Sequence, residues 1–249
     1  MIYAAIFVVG LIFGSFINAL VYRLSARKPI FLDRSECTIC GHKLAAKDLV
    51  PLFSFAFLHG RCRYCRKKIS WQYPVVEFAA AAILTLVYWI YSPDLFNVFG
   101  YSVISLFLLI IFIYDFKYYL ILDSVTIPAI VFSIIFNYLR GASLLSLLFA
   151  SAVGGGFFLL QYAISRGKWI GGGDIRLGAL AGAVLGWPGV VLAIFLAYIF
   201  GALITLPLLI SGRRELGSAV PFGTFFTVAI FVAIWWGERI ITWYLGLLT

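Results

Sequence analysis

The chain reads as an all-α, polytopic bundle of about eight membrane spans carrying one small polar domain. Three observations lead there. The 249 residues are 63% hydrophobic and their mean hydropathy is +1.05, well outside the range of water-soluble domains. Apolar runs of roughly 20 residues recur, each long enough to cross a ~30 Å hydrocarbon layer as a helix. The period-two alternation of a barrel strand is absent.

The spans are expected at about 2–22, 74–91, 98–114, 124–139, 144–164, 174–186, 190–210 and 222–247. The first lacks a basic leading segment and runs into Arg23, not a small-residue cleavage site, so it reads as retained. The second opens at Pro74, with Glu77 expected in its first turn, where a carboxylate complements the helix dipole. The third ends its apolar run at Asp115. The fourth starts beside Asp123, which suits an N-terminal cap. The sixth, opened by Asp174, is short for a full crossing. In the eighth, Glu238 and Arg239 read as an ion pair. The expected division is a first transmembrane helix (1–22), a cysteine domain (23–73) and a membrane domain (74–249).

Charge placement orients the bundle. Of 19 Lys and Arg residues, 11 lie in 23–73. Six more, Lys117, Arg166, Lys168, Arg176, Arg213 and Arg214, fall on the same side of an eight-span chain. Only Arg140 and Arg239 remain for the other. The positive-inside tendency therefore puts the 23–73 domain and those loops in the cytoplasm, with both termini outside. Topology and attraction to anionic membrane lipids account for the net charge of +9 without a nucleic-acid partner. The basic, aromatic run "HGRCRYCRKKISWQYP" sits between two spans, which places it against lipid headgroups for the same reason.

Cys37, Cys40, Cys62 and Cys65 form two C-x2-C pairs. Two such knuckles deliver four thiolates tetrahedrally to one zinc ion, as in a zinc ribbon. A reducing cytoplasm disfavours a disulfide framework, and two pairs argue for metal over a redox motif. Gly41 suits the tight turn behind the first pair. With four sulfurs supplied, His42 and His59 are read as residues of the surface or of the surround behind the ligands. A domain of about 50 residues has little core of its own, so the metal is its structural centre.

The ten acidic residues sort individually. Asp33, Glu36 and Asp48 belong to the polar domain, and Asp94 and Glu215 to loops. Asp115 and Asp174 remain, and both reach the inner boundary of the membrane from the same side. An ionisable group there is costly unless it faces protein or water, which makes it a functional candidate. If the two meet, their repulsion leaves one proton shared by the pair. One carboxylate could then deprotonate water while the other serves the peptide carbonyl, the arrangement of an aspartic protease. Gly171, Gly172 and Gly173, directly before Asp174, are expected to give an unusual backbone and a close approach for substrate. Asp123, eight residues after Asp115, is a competing or supporting acid.

These residues resemble the bacterial type IV prepilin peptidases, aspartic proteases of the GxGD type. The likeness runs through five ordered segments: "GLIFGSFINALVYR" (10–23), the cysteine domain, "YDFKYYLILDSVTIP", "GGGDIRLGALAGAVLGW" and "AVPFGTFF" (219–226). It implies that Asp115 and Asp174 are the catalytic pair, with Asp123 an acidic neighbour of the first motif. Leu122 replaces the family's usual proline there, and Gln72 stands where a basic residue is more usual. It also implies a multi-pass protein of the bacterial inner membrane that removes short basic leaders from prepilins or pseudopilins. Many members also methylate the new N-terminus with S-adenosylmethionine; that cofactor is implied by the resemblance alone. Asn18 and Arg23 read as a helix-packing polar residue and a boundary anchor.

Other readings fare worse. A proton-coupled transporter would place ionisable residues at mid-bilayer and on both sides. A membrane thiol oxidoreductase would need cysteines facing an oxidising compartment. A presenilin-like enzyme has no place for the cysteine domain.

Overall fold

The computed structural model describes residues 1–29, 34–212 and 220–247. Asp33, Arg213, Arg214, Glu215 and Ala219 lie outside the described residues. The chain forms two compact units, Met1–Ser102 and Val103–Thr249.

In the first unit, helices α1 (Ile2–Ser25) and α3 (Gln72–Tyr91) flank the cysteine domain, which contains a short helix α2 (Phe53–Phe57). Lipid tails are as apolar as the helices, so close packing has to hold α1 on α3. Small residues provide it. A Cβ added at Gly10 would lie 2.4 Å from the Ala81 Cα, and one at Gly14 would lie 2.5 Å from the Glu77 Cα. Tyr3 and Tyr88 meet edge to face further along, so the two helices run antiparallel. Asn18, 3% exposed, donates to the Tyr73 carbonyl at 3.0 Å, as its packing role requires. Glu77 departs from expectation. It lies in the second turn of α3, and its Oε2 accepts the Leu52 N–H at 2.8 Å. It serves the cysteine domain, whose Leu52 sits at φ +60, rather than the helix dipole.

The two knuckles share one hydrogen-bond pattern. The Cys37 N–H donates to the His42 carbonyl and the Gly41 N–H to the Cys37 carbonyl; the Cys62 N–H donates to Lys67 and the Arg66 N–H to Cys62. The left-handed position is filled by Gly41 (φ +69) in one and by Arg66 (φ +59) in the other. An antiparallel bridge closes each, Glu36 to Lys43 and Arg61 to Lys68. Asp48 joins the halves by accepting from Arg63 Nε at 2.6 Å and from the Tyr64 hydroxyl at 3.0 Å. Helix α4 (Leu95–Tyr118) follows. Asp94 caps it by accepting the Asn97 N–H at 3.1 Å.

The second unit holds the rest of α4 with α5 (Asp123–Leu139), α6 (Leu144–Ser165), α7 (Gly172–Ile210) and α8 (Phe222–Gly246). As a straight rod α7 would measure ~58 Å at ~1.5 Å per residue, far more than one crossing needs. Gly186 (φ 63, ψ −169) and Trp187 (φ −93, ψ 136) break it. The glycine contacts show that the chain reverses there. A Cβ on Gly154 of α6 would lie 2.2 Å from the Gly178 oxygen and 2.9 Å from Val190 Cγ2. Residues 12 apart in sequence are therefore level, one in each limb of a helical hairpin. Asn137 of α5 closes the first limb, donating to the freed carbonyls of Ala183 (2.8 Å) and Val184 (3.1 Å). In an apolar surround those carbonyls would otherwise lack a donor.

Six helices are long and apolar enough to cross a membrane, and α5 is a shorter apolar helix. Counting the two limbs of α7 separately gives the eight apolar segments expected from the sequence. Boundaries differ by a few residues: α1 extends to Ser25, and α4 runs past Asp115 to Tyr118. No ion pair joins Glu238 and Arg239 among the described residues; the three found there are Lys28–Glu36, Arg63–Asp48 and Arg176–Asp123.

Candidate active site and cysteine cluster

Both candidate carboxylates lie in the second unit. Asp115, 5% exposed, stands one turn before the end of α4, and Asp174, 8% exposed, in the first turn of α7. Their meeting point is built from small residues. A Cβ on Gly223, at the start of α8, would lie 3.0 Å from Asp115 Cγ and 3.0 Å from Ile121 Cδ1. A Cβ on Gly173, beside Asp174, would lie 2.8 Å from Ile121 Cβ. The Ile121 side chain thus touches both glycines, which brings the starts of α7 and α8 together at the end of α4. Ile121 is the shared neighbour that sets Asp115, against Gly223, and Asp174, next to Gly173, on either side of one side chain.

Each carboxylate is held by backbone. Asp115 Oδ2 accepts from the Thr224 N–H at 2.6 Å and from its hydroxyl at 2.9 Å. Those donors belong to the first turn of α8, where N–H groups have no helical acceptor. Asp174 Oδ2 accepts the Gly171 N–H at 3.0 Å. Gly171 is the N-cap and Asp174 the third helical residue, so the carboxylate reaches back as the acid of a capping box does.

The glycine triplet behaves differently from expectation. None of Gly171, Gly172 and Gly173 has a left-handed φ, and the first is extended at φ −78, ψ 155. What Gly173 supplies is room for Ile121; at Gly172 an added Cβ would meet nothing within 4 Å. Asp123 also differs. Leu122 is the N-cap of α5, and no side chain caps that helix. The Asp123 carboxylate instead forms an exposed ion pair with Arg176, because Arg176 lies on the first turns of α7 and supplies a cation that a cap would lack. Sequence reasoning missed Thr224, although it lies within "AVPFGTFF". Its only signal there is a β-branched hydroxyl directly after the Pro-Phe-Gly run.

In the first unit the sulfurs of Cys37, Cys40, Cys62 and Cys65 all lie within 4.8 Å of one another. Cys37 and Cys65 are 3.9 Å apart. Four thiolates on a tetrahedral ion at ~2.3 Å stand ~3.8 Å apart, so the cluster fits a single metal. His42 and His59 are exposed, and the His42 ring packs against Tyr64 at 3.6 Å.

Such a chain is a polytopic helical membrane protein with two buried carboxylates near one shared residue, Ile121, and a four-cysteine cluster. Residues 8–91 match the bacterial peptidase A24 N-terminal domain, and residues 102–206 match the type IV leader peptidase family. A Pseudomonas putida protein named prepilin leader peptidase/N-methyltransferase is 31% identical over 94% of this chain and 90% of its own. Proteins of the same name from Vibrio cholerae (35% identical; 72% of this chain, 76% of its own) and Burkholderia pseudomallei (30%; 88% and 80%) are also similar. The chain belongs to the type IV leader peptidase family. No solved structure matches it significantly.

Proposed function

We propose that this protein is an integral-membrane aspartic endopeptidase that cuts prepilins or pseudopilins between a short basic leader and the apolar helix that follows. The convergence of Asp115 and Asp174 carries the reading. Two donors meet Asp115 Oδ2 and one meets Asp174 Oδ2, so Asp115 is the better-supported anion. It acts as general base on a water molecule, while Asp174 donates a proton to the scissile carbonyl oxygen. The water oxygen bonds to the carbonyl carbon. The tetrahedral diol then collapses, its C–N bond breaks, and a proton passes to the leaving amine. Gly172, where an added Cβ would meet nothing within 4 Å, leaves open backbone for the peptide between Gly171 and Gly173 beside Asp174, and Asp123 supports the centre from outside through Arg176.

The clustering of both carboxylates at one end of the second unit supports a protease over a proton-coupled transporter, which needs a relay through the bilayer. The basic residues of the cysteine domain and inner loops support a bacterial inner-membrane location. They also support a cytoplasmic active site and cysteine domain, in contact with anionic lipid. The four cysteines would hold structural zinc. Metal analysis of the purified protein should then find about one zinc per chain, lost in Cys62→Ser; a metal-free wild type with a folded domain would refute the site.

We also infer, from the relatives' name, that the chain transfers a methyl group from S-adenosylmethionine to the new N-terminus. The described residues single out no group for that cofactor. One experiment tests both activities: incubate a prepilin with membranes holding this protein and weigh the product. A chain shortened by its leader and heavier by one methyl group is expected. An intact precursor overturns the protease, and a shortened product with a free amine overturns only the methyl transfer.

A further inference from the structure

An aromatic cluster at the start of α8, the turn that holds Asp115, carries a polar pair. Tyr198, on the returning limb of α7, donates its hydroxyl to Gln161 Oε1 of α6 at 2.9 Å. The Tyr198 ring packs against Phe157 at 6.2 Å and against Phe222 at 5.3 Å. Phe222 directly precedes Gly223, where an added Cβ would lie 3.0 Å from Asp115 Cγ. The reversal of α7 is what returns Tyr198 to this level. Tyr198 is 42% exposed, so the pair lies at the surface of the helix bundle.

A peptide must be unwound for a protease to reach its backbone, and this substrate is apolar on one side of the cut. Unwinding an apolar helix at the membrane boundary frees backbone N–H and C=O groups in a medium with few partners, at considerable cost. The enzyme has to supply replacements. Gln161 keeps its two amide N–H donors, and Tyr198 keeps the lone pairs of its hydroxyl oxygen. Side by side they offer a donor and an acceptor, the complement of the C=O and N–H that one residue of an extended chain presents on the same side, while the rings of Phe157 and Phe222 receive apolar side chains.

We propose that Gln161 and Tyr198 form a backbone-binding subsite that holds the unwound, apolar side of the substrate extended beside the carboxylates. This inference rests on the protease reading. The test uses synthetic prepilin peptides in which one amide near the cut, on the apolar side, is replaced by an ester. Such a replacement removes one N–H donor and weakens one carbonyl acceptor. Tyr198→Phe, which deletes a single oxygen, and Gln161→Leu should each lower kcat/KM about tenfold, the value of one hydrogen bond in this setting. The ester that removes the contacted N–H should cost the wild type about tenfold and Tyr198→Phe almost nothing more, and the ester at the next amide, which weakens the contacted carbonyl, should likewise lose its penalty in Gln161→Leu. If ester penalties at every position are unchanged in both variants, the subsite is overturned. If wild-type membranes and the Asp174→Asn variant cleave the all-amide peptide equally, the protease reading itself has failed, a separate result.

Discussion

Asp115→Asn and Asp174→Asn should each slow prepilin processing by about a thousandfold or more. Each amide keeps the size of the carboxylate but can neither take a proton from water nor give one to the carbonyl. In Asp115→Asn the new amide oxygen still accepts from Thr224, so the contact that fixes the start of α8 on α4 survives and the protein should still fold. That separates chemistry from stability. Asp123→Asn loses the ion pair with Arg176. That pair is exposed, and exposed pairs contribute little, so cleavage should fall only a few-fold. Processing would be followed in membranes at matched expression. Wild-type rates in either of the first two variants would break the pairing; near-complete loss in Asp123→Asn would move that residue into the catalytic centre.

The second large effect is expected one turn beyond Asp174. A Cβ on Gly178 would lie 2.4 Å from the Gly154 oxygen and 2.6 Å from Phe158 Cδ2. The first of these atoms is backbone and cannot swing away. Gly178→Ala must therefore push α6 and the first limb of α7 apart, at a cost of about 1–3 kcal/mol from overpacking. The displacement reaches the first turn of α7, and a shift of about 1 Å at a reacting group can cost about a hundredfold in rate. Gly156→Ala provides the control. It makes the same change on the facing helix α6, at a position where an added Cβ meets nothing within 4 Å, and it should leave thermal stability and cleavage intact. Equal behaviour of the two variants would show that the close approach of α6 to α7 does not set the position of Asp174.

Much of this protein is legible in one dimension because the relevant physics is local. Hydropathy over about 20 residues is enough to define a span, since each helix satisfies its own backbone in lipid. Two C-x2-C pairs suffice for the metal-type cluster because each knuckle places its two sulfurs through its own hydrogen bonds. Asp115 and Asp174 stand out because an acid at the edge of an apolar run is expensive. Sequence therefore determined the membrane class, the eight apolar segments, the cysteine cluster and the two candidate carboxylates.

The tertiary structure decided which groups meet. The reversal at Gly186 and Trp187 brings Tyr198 back to the level of the carboxylates. Asp115 takes its donors from Thr224, 109 residues away. Glu77 turns to Leu52 rather than to its own helix end, and Asp123 pairs with Arg176 in place of a cap. Gly173 is small for the sake of Ile121, not for an unusual backbone. None of these follows from local pattern. Each depends on how closely helices approach, which small residues set in a membrane where burial of apolar surface no longer drives helix packing.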